Sequence, residues 1–534
     1  MKNLLFLVLF GMLFNGLSIA QTFNFVADIN PTGDSDPRDF INYNSDLYFS
    51  ATDDSITRDL WKLTSGTTTP INISNFPSGS YNLYDLTVFQ GKLFYSVTHP
   101  THGSEIWVYD GTSNALLADI NPGIGHGFRP FYGLTVYNNL LLFAGDNGIN
   151  GLELYKTDGT AMGTSLVKDI NVGADSSIVV KPSFALLNNK VYFGADDGIN
   201  GYELWETDGT TNGTTLVKDI EPGAVSSGPS WIEVFNNELF FYCQTSTYGN
   251  EVWKSDGTDA GTEILKDINP GTANGIGSFN PAILNNKMYF VGNETATAYE
   301  LYSTDGTTAN TELFKDINPM GSSFIVYLTT IDGYVYFQAG DGINHRELWK
   351  TDGTNTTLIE VNPIGYGYPT LFTKYNGRIY LRANVDSSFI NRNYQLLELD
   401  YWTDSVQSIA PAIAPKFNPL RTAYNFFEWE DKLYFAADYD ATGSELWSYS
   451  ILPSNIEDSK EFVTTNIYPN PSNDFIHFDD NIDANSVSIY NTLGQLVLQS
   501  NEINTVDVSK LGSGAYVIKI QSDKLTYVSK IVKL

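Results

Sequence analysis

The chain has 534 residues, with 61 Asp and Glu against 30 Lys and Arg, a formal charge of -31 and a single cysteine, Cys243. This length leaves room for several domains or for one large repeat array with an appendage, and the acidic balance repels phosphate backbones and anionic lipid heads, which argues against nucleic acid as a partner. One cysteine excludes an intramolecular disulfide and a multi-thiolate zinc site, while 42% hydrophobic and 14% aromatic content with 17% charged residues is the composition of a folded protein.

Met1, Lys2 and Asn3 precede an apolar run from Leu4 to Leu13, and Ser18 and Ala20 stand three and one residues before a cut at Gln21. Residues 1–20 therefore read as a secretory signal peptide. The run is shorter than the roughly 20 residues of a membrane-spanning helix, no later segment supplies one, and no cysteine lies near the cut to carry a lipid. The expected mature chain is soluble and exported.

From Gln21 to Ser450 the chain repeats itself. The aspartate of a DGT tripeptide recurs at Asp110, Asp158, Asp208, Asp256, Asp305 and Asp352, at spacings of 48, 50, 48, 49 and 47, and such a period means one supersecondary unit per repeat. With weaker copies at Leu60-Trp61, Leu396-Leu397 and Glu445-Leu446-Trp447, the ELW strand before this turn occurs nine times. A KDI strand also occurs nine times, but out of phase: the first, Val26 to Ile29, has no ELW strand before it, and the last ELW strand has no KDI strand after it. In the copy from Lys181 to Gly223 four short strands are expected, Phe184 to Leu187, Val191 to Ala195, Tyr202 to Glu206 and Thr215 to Ile220, separated by Asn-Asn, Asp-Gly and DGT turns. Four-stranded sheets repeated every 40 to 50 residues or so predict an all-β propeller, of nine blades or of eight with a stray repeat. The two orphan strands would complete one blade and close the ring, removing two exposed edges.

The repeat motif has a mechanical reading. Glu203 and Trp205 point to one face of their strand and Leu204 to the other, the DGT aspartates accept backbone N–H bonds within the turn, and Gly209 and Gly213 permit positive φ there. Lys168, Lys218, Lys266 and Lys315 suit an outermost strand guarded by charge. These copies resemble the ELWxxDGT repeat of secreted bacterial proteins, and the TDGTxxGT turn is similar to the Asp-box hairpin of sialidase-type propellers; the resemblance implies a repeat family and no particular activity.

After a polar linker, residues 451–465, a new pattern begins. Short alternating strands at Phe475 to Phe478, Ser486 to Tyr490, Leu496 to Gln499, Thr505 to Asp507, Ala515 to Gln521 and Thr526 to Lys533 fit a small Ig-like β-sandwich. The motifs YPNP (Tyr468, Pro469, Asn470, Pro471), NTLGQLV around Gly494, and LGSGAYVIKI with Gly514 and Tyr516, followed by a lysine-containing end, resemble the C-terminal sorting domain of the type IX secretion system of Bacteroidetes. That resemblance spans residues 466–534. It implies the type IX secretion machinery as partner, export to the outer cell surface, usual removal of this domain and frequent attachment to a surface lipopolysaccharide.

No catalytic constellation stands out. The five histidines, His99, His102, His126, His345 and His477, are scattered, and no GxSxG, HExxH, P-loop or GxGxxG context occurs. Arg38, Arg58, Arg129, Arg346, Arg378, Arg382, Arg392 and Arg421 show no repeated placement that suggests a carboxylate-binding triad. Calcium is the plausible ion, through loops such as Asp196-Asp197-Gly198-Ile199-Asn200, although no full ligand spacing is met; no metal or cofactor residue is assigned. In a ring, the face opposite the DGT turns carries variable loops with Phe128, Arg129, Trp231, Phe279, Phe324, Tyr366 and Tyr368, aromatic positions suited to stacking on sugars or anchoring a protein, or to packing between blades. The leading expectation is a non-enzymatic surface propeller that binds an extracellular glycan or protein. A glycan-cleaving enzyme using the same face and a structural surface-layer component are the alternatives.

Overall fold

The computed structural model describes residues 20–54, 57–74, 82–277, 280–295, 298–387, 392–400, 403–411, 417–440, 442–452, 461–464, 467–470, 472–478, 484–491, 496–500, 505–522 and 525–534. The expected signal peptide, apart from Ala20, lies outside them. Two compact units are present, Gln21–Leu452 and one that includes Pro453–Leu534.

The first unit follows from strands that are apolar on both faces. In the strand Tyr202–Thr207, Leu204 packs with Phe241 and Trp253 of the following sheet, whereas Trp205 packs with Leu142 and Leu154 of the preceding one. A sheet buried on both faces must sit between two others. Among the described residues there are nine four-stranded antiparallel sheets, the blades of a β-propeller. Blades one to eight span residues 38–72, 82–116, 135–168, 185–218, 230–266, 282–315, 326–359 and 370–409. Blade nine joins Phe427–Trp429, Lys432–Ala437 and Glu445–Leu452 to Ala20–Ala27, so the orphan KDI strand does complete the last blade. Every neighbouring pair of blades shares an apolar cluster, and the ninth cluster sets Phe40 and Phe49 of blade one against Trp429, Tyr434 and Leu446 of blade nine. The ring is closed. Each large side chain fully buried in these seams, such as Phe241, contributes roughly 1.5–3 kcal/mol.

The glutamate of the ELW strand works as a clamp. Glu203 is fully buried and accepts from the Ile220 N–H (2.9 Å), the Ser227 N–H (2.8 Å) and the Ser227 hydroxyl (2.6 Å). One carboxylate thus fixes the exit of the KDI strand and the loop into the next blade. Glu105, Glu153, Glu251, Glu300, Glu347 and Glu445 hold the equivalent backbone amides. Glu445 makes this clamp across the ring closure, to Ile29 (2.7 Å) and the Ser35 hydroxyl (2.6 Å). Burial pushes the Glu203 carboxyl up to about 7, against the pull of its Ser227 and Ile220 donors, and Glu105 up to about 8.

The DGT aspartates cap their own turns. Asp208 Oδ1 accepts from the N–H (2.9 Å) and hydroxyl (2.6 Å) of Thr210, and Asp110, Asp158, Asp256, Asp305 and Asp352 do the same or use the next N–H. Gly209 has φ +82°, but Gly213 is not in the positive-φ region, contrary to the expectation; its reason is space, since a Cβ there would lie 2.0 Å from Asp208 Oδ1. The KDI lysines do more than guard an edge. Lys168 donates to the Thr214 carbonyl (2.7 Å), Lys218 to Asp259 and Lys266 to Thr311, each tying its outer strand to the turn of the next blade.

In the second unit, Glu461–Thr464, Leu525–Lys533, Gly514–Ser522, Ala484–Asn491 and Leu496–Ser500 form one sheet, in that order, and Ile467–Tyr468, Phe475–Phe478 and Thr505–Asp507 a second. Ile476, Val487, Ile489, Val506, Ile518 and Ile531 fill the core. The expected linker is shorter than 451–465, because Glu461–Thr464 pairs in parallel with the last strand.

Candidate functional site

Successive blades approach through their first strands, which line the axis. In blades one, two, five, seven and eight this strand shifts register. At each shift a non-glycine residue takes positive φ: Asp39 (58°), Asp85 (63°), Trp231 (53°), Tyr327 (61°) and Leu371 (59°). A bulge re-aims one side chain away from the regular pleat, and strained backbone of this kind, costing roughly 1–3 kcal/mol per residue, clusters at ligand clamps.

One of these bulges, at Tyr327, opens onto a cleft. On the face opposite the DGT turns, between blades seven and eight, a cleft of about 680 Å³ is lined by Phe324, Tyr327, His345, Arg346, Tyr366, Tyr368, Thr370, Arg382, Arg392 and Tyr394, among others. Four of its aromatic residues have positive φ: Phe324 (53°), Tyr327 (61°), His345 (61°) and Tyr368 (46°). Tyr366 and Tyr368 stack at 5.3 Å with 14° between ring planes, and the His345 ring lies 4.2 Å from Tyr366.

The three arginines are held by rings. Arg346 lies 4.5 Å from the Phe324 ring centre and 5.7 Å from that of Tyr368, Arg392 lies 4.0 Å from Tyr368, and Arg382 lies 4.3 Å from Tyr394. Arg382 donates to the Ala423 carbonyl (2.8 Å) and Arg392 to the Tyr394 hydroxyl (3.1 Å). Burial lowers the pKa of the Arg382 guanidinium, and its Nε and the Thr370 hydroxyl are buried without a hydrogen-bond partner among the described residues. No Asp or Glu lines the cleft among the described residues. Strands and hairpins of two neighbouring blades bring together residues 346, 382 and 392, which no repeat period relates.

Of the residues expected on this face, Tyr366, Tyr368 and Phe324 line the cleft. Phe128 does not: it is fully buried, its ring against Phe143 and its N–H bonded to the Ser104 carbonyl (2.8 Å), so it fills the seam between blades two and three. Arg129 lies 5.1 Å from the Tyr132 ring and Trp231 is half-exposed at its bulge. Phe279 lies outside the described residues. The signal that sequence reading passed over was the pairing of an arginine with an aromatic in successive hairpins, HR at 345–346 and RNY at 392–394.

Elsewhere the candidate ligands are engaged locally. Asp196 and Asp197 accept from Gly198, Ile199 and Asn200 within their own turn, and His102 meets Asp119 at 3.1 Å. Among the described residues no group of three or more His, Cys, Asp or Glu is placed to hold a metal. Cys243 is fully buried, which pushes its thiol pKa up. A smaller cavity is lined by Asp39 of blade one, Tyr84 and Asp85 of blade two, and Phe131 and Lys181 of the connections into blades three and four; Asp39 and Asp85 are bonded to Ser50 and Ser96.

In the C-terminal unit, Asn470 donates to the Lys530 carbonyl and accepts from the Val532 N–H, both at 2.8 Å, pinning the turn after Tyr468 and Pro469 to the last strand. Gly514 opens the strand that carries Tyr516, whose hydroxyl donates to the Gly512 carbonyl (2.8 Å). Pro471 and Gly494 lie outside the described residues.

Residues 466–534 match the secretion system C-terminal sorting domain. The protein is therefore secreted to the outer cell surface, and the type IX secretion machinery is a partner. No curated protein matches the chain. Among solved structures, the crystal structure of puromycin hydrolase is similar over 73% of this chain and 61% of that one, at 12% identity and a TM-score of 0.34. A study of two prolyl endopeptidases gives 77% and 55%, 11% identity and 0.40. The extracellular domain of a putative hybrid two-component system from B. thetaiotaomicron gives 93% and 74%, 10% identity and 0.32. The chain thus spans less than two thirds of the length of the first two. Among the described residues no helix is long and apolar enough to cross a membrane.

Proposed function

We propose that this protein, whose repeats resemble those of secreted ELWxxDGT proteins, is a cell-surface binding protein whose extracellular ligand, a glycan or a protein segment, seats in the cleft between blades seven and eight without being cleaved. The observation that carries the reading is the gathering of strained aromatic residues around one open cleft: Phe324, Tyr327, His345 and Tyr368 hold backbone conformations that bulky side chains rarely adopt. Glycoside hydrolysis ordinarily uses two carboxylates flanking the scissile bond, and the described lining offers none.

The test is a glycan and polysaccharide array read with the purified protein, with and without calcium, scoring binding and reducing-end release on the same samples. Binding without release is expected. Tyr366→Ala, which removes a part-buried aromatic ring from the lining, should weaken binding about tenfold, as loss of an aromatic contact worth roughly 1–1.5 kcal/mol implies. Release of reducing ends would instead make the protein a glycan-cleaving enzyme.

A further inference from the structure

Building on the binding reading above, we infer that the cleft recognises the oxyanion of an acidic sugar, a carboxylate or a sulfate, with Arg346 and Arg382 as its fork-shaped donors. Elsewhere in the chain Arg421 meets Asp34 (2.7 Å) and Arg378 meets Glu398. Arg346 and Arg382 have no ion pair among the described residues, and aromatic rings hold them instead. Cation–π contact holds a guanidinium without neutralising its charge, and the planar fork of N–H donors is of the kind that binds a carboxylate or sulfate in two places at once.

Two further polar groups stand side by side in the lining, since Thr370 pairs with Arg382 across neighbouring strands. Thr370 is nine-tenths buried, lines the cleft, and its hydroxyl has no partner among the described residues; the Nε of Arg382, which also lines the cleft, is in the same position. Buried donors left unsatisfied cost free energy, and an oxyanion in the cleft would satisfy both. Beside them, Tyr366 and Tyr368 stack on one another in the same lining, the first part-exposed and the second buried.

The remainder of the molecule limits the choice. A net charge of -31 repels a polymer of high charge density, so the local cation cluster suits a sugar with one oxyanion per cleft better than a nucleic acid or a heavily sulfated chain.

The experiment titrates the full-length protein with alginate and hyaluronan oligosaccharides, which carry carboxylates, carrageenan oligosaccharides, which carry sulfates, cello- and laminari-oligosaccharides, which are neutral, and poly-glutamate and duplex DNA as non-sugar polyanions. At least one acidic glycan should bind at least tenfold more tightly than the neutral ones, and the carboxylate and sulfate arms identify the group. Arg346→Gln, on the accessible rim, and Arg382→Gln should each weaken that binding roughly ten- to hundredfold, the loss expected for a charge-assisted hydrogen bond, with the melting temperature of R346Q unchanged. Equal affinity for neutral glycans, or binding untouched by R346Q, overturns the oxyanion assignment and leaves the binding reading standing. Binding of poly-glutamate in place of sugars overturns it in favour of an acidic protein segment. No binding to any probe, with Tyr366→Ala indistinguishable from the parent protein on the array, overturns both.

Discussion

At the scale of single residues, the repeat uses two carboxylates in opposite ways. Asp208 is exposed and serves its own turn, whereas Glu203 is buried and joins segments 17 and 24 residues away. Glu203→Ala strands two N–H groups and a hydroxyl in the core, at roughly 1–3 kcal/mol each, so it should lower stability by at least about 3 kcal/mol. Asp208→Ala should cost about 1 kcal/mol; urea midpoints of the two variants check the contrast. The clamps also set a pH dependence. In the unfolded chain a glutamate ionises near about 4.3, but burial pushes Glu153, Glu203, Glu251, Glu347 and Glu445 up to about 7 and Glu105 to about 8. The folded chain therefore holds protons that the unfolded chain has released. This contribution to stability is complete below about pH 4.3 and is lost as the pH rises through about 7 to 8. Exposed turn aspartates such as Asp110, which hydrogen bonds hold down at about 2, act in the opposite sense and only in acid. Melting temperatures should be higher at pH 5 than at pH 8, and the reverse order would show that the clamps stay ionised throughout.

At the scale of elements, the strand Ala20–Ala27 matters most, because it is separated by more than 400 residues from the sheet it completes. Its seam is polar as well as apolar: Glu445 clamps Ile29 and Ser35, Asp34 accepts from the Ser444 N–H (2.8 Å), and Phe23 and Phe25 pack on Tyr449 and Trp447. Deleting Thr22 to Pro31 opens the ring and exposes two sheet edges. The melting temperature should fall markedly, and an unchanged melt would mean that the ring does not depend on this strand. The strands of blade four were legible to within about two residues, since alternation and turn residues fix them locally. The inner-strand bulges were not, because a bulge depends on how a strand meets its partner and leaves no local residue signature: Asp39, Asp85, Trp231, Tyr327 and Leu371 have nothing in common as side chains.

For the whole molecule, the sequence by itself determined the propeller, its nine units, the out-of-phase strand that closes it and the C-terminal sorting domain. Repeated spacing and contiguous motifs are written along the chain, and each unit can bury its two apolar faces only against copies of itself. The tertiary structure alone decided which loop residues are buried and which meet. Phe128 and Tyr368 read alike as aromatics after KDI strands and their N–H groups make the same bond, to the Ser104 and Arg346 carbonyls, yet the first ring fills a seam while the second residue turns through positive φ and lines the cleft. Arg346, Arg382 and Arg392 sit at different places in two successive repeats, so no period could pair them. Their convergence comes from the packing of one blade against the next, which sets the distances between hairpins that the chain itself leaves independent.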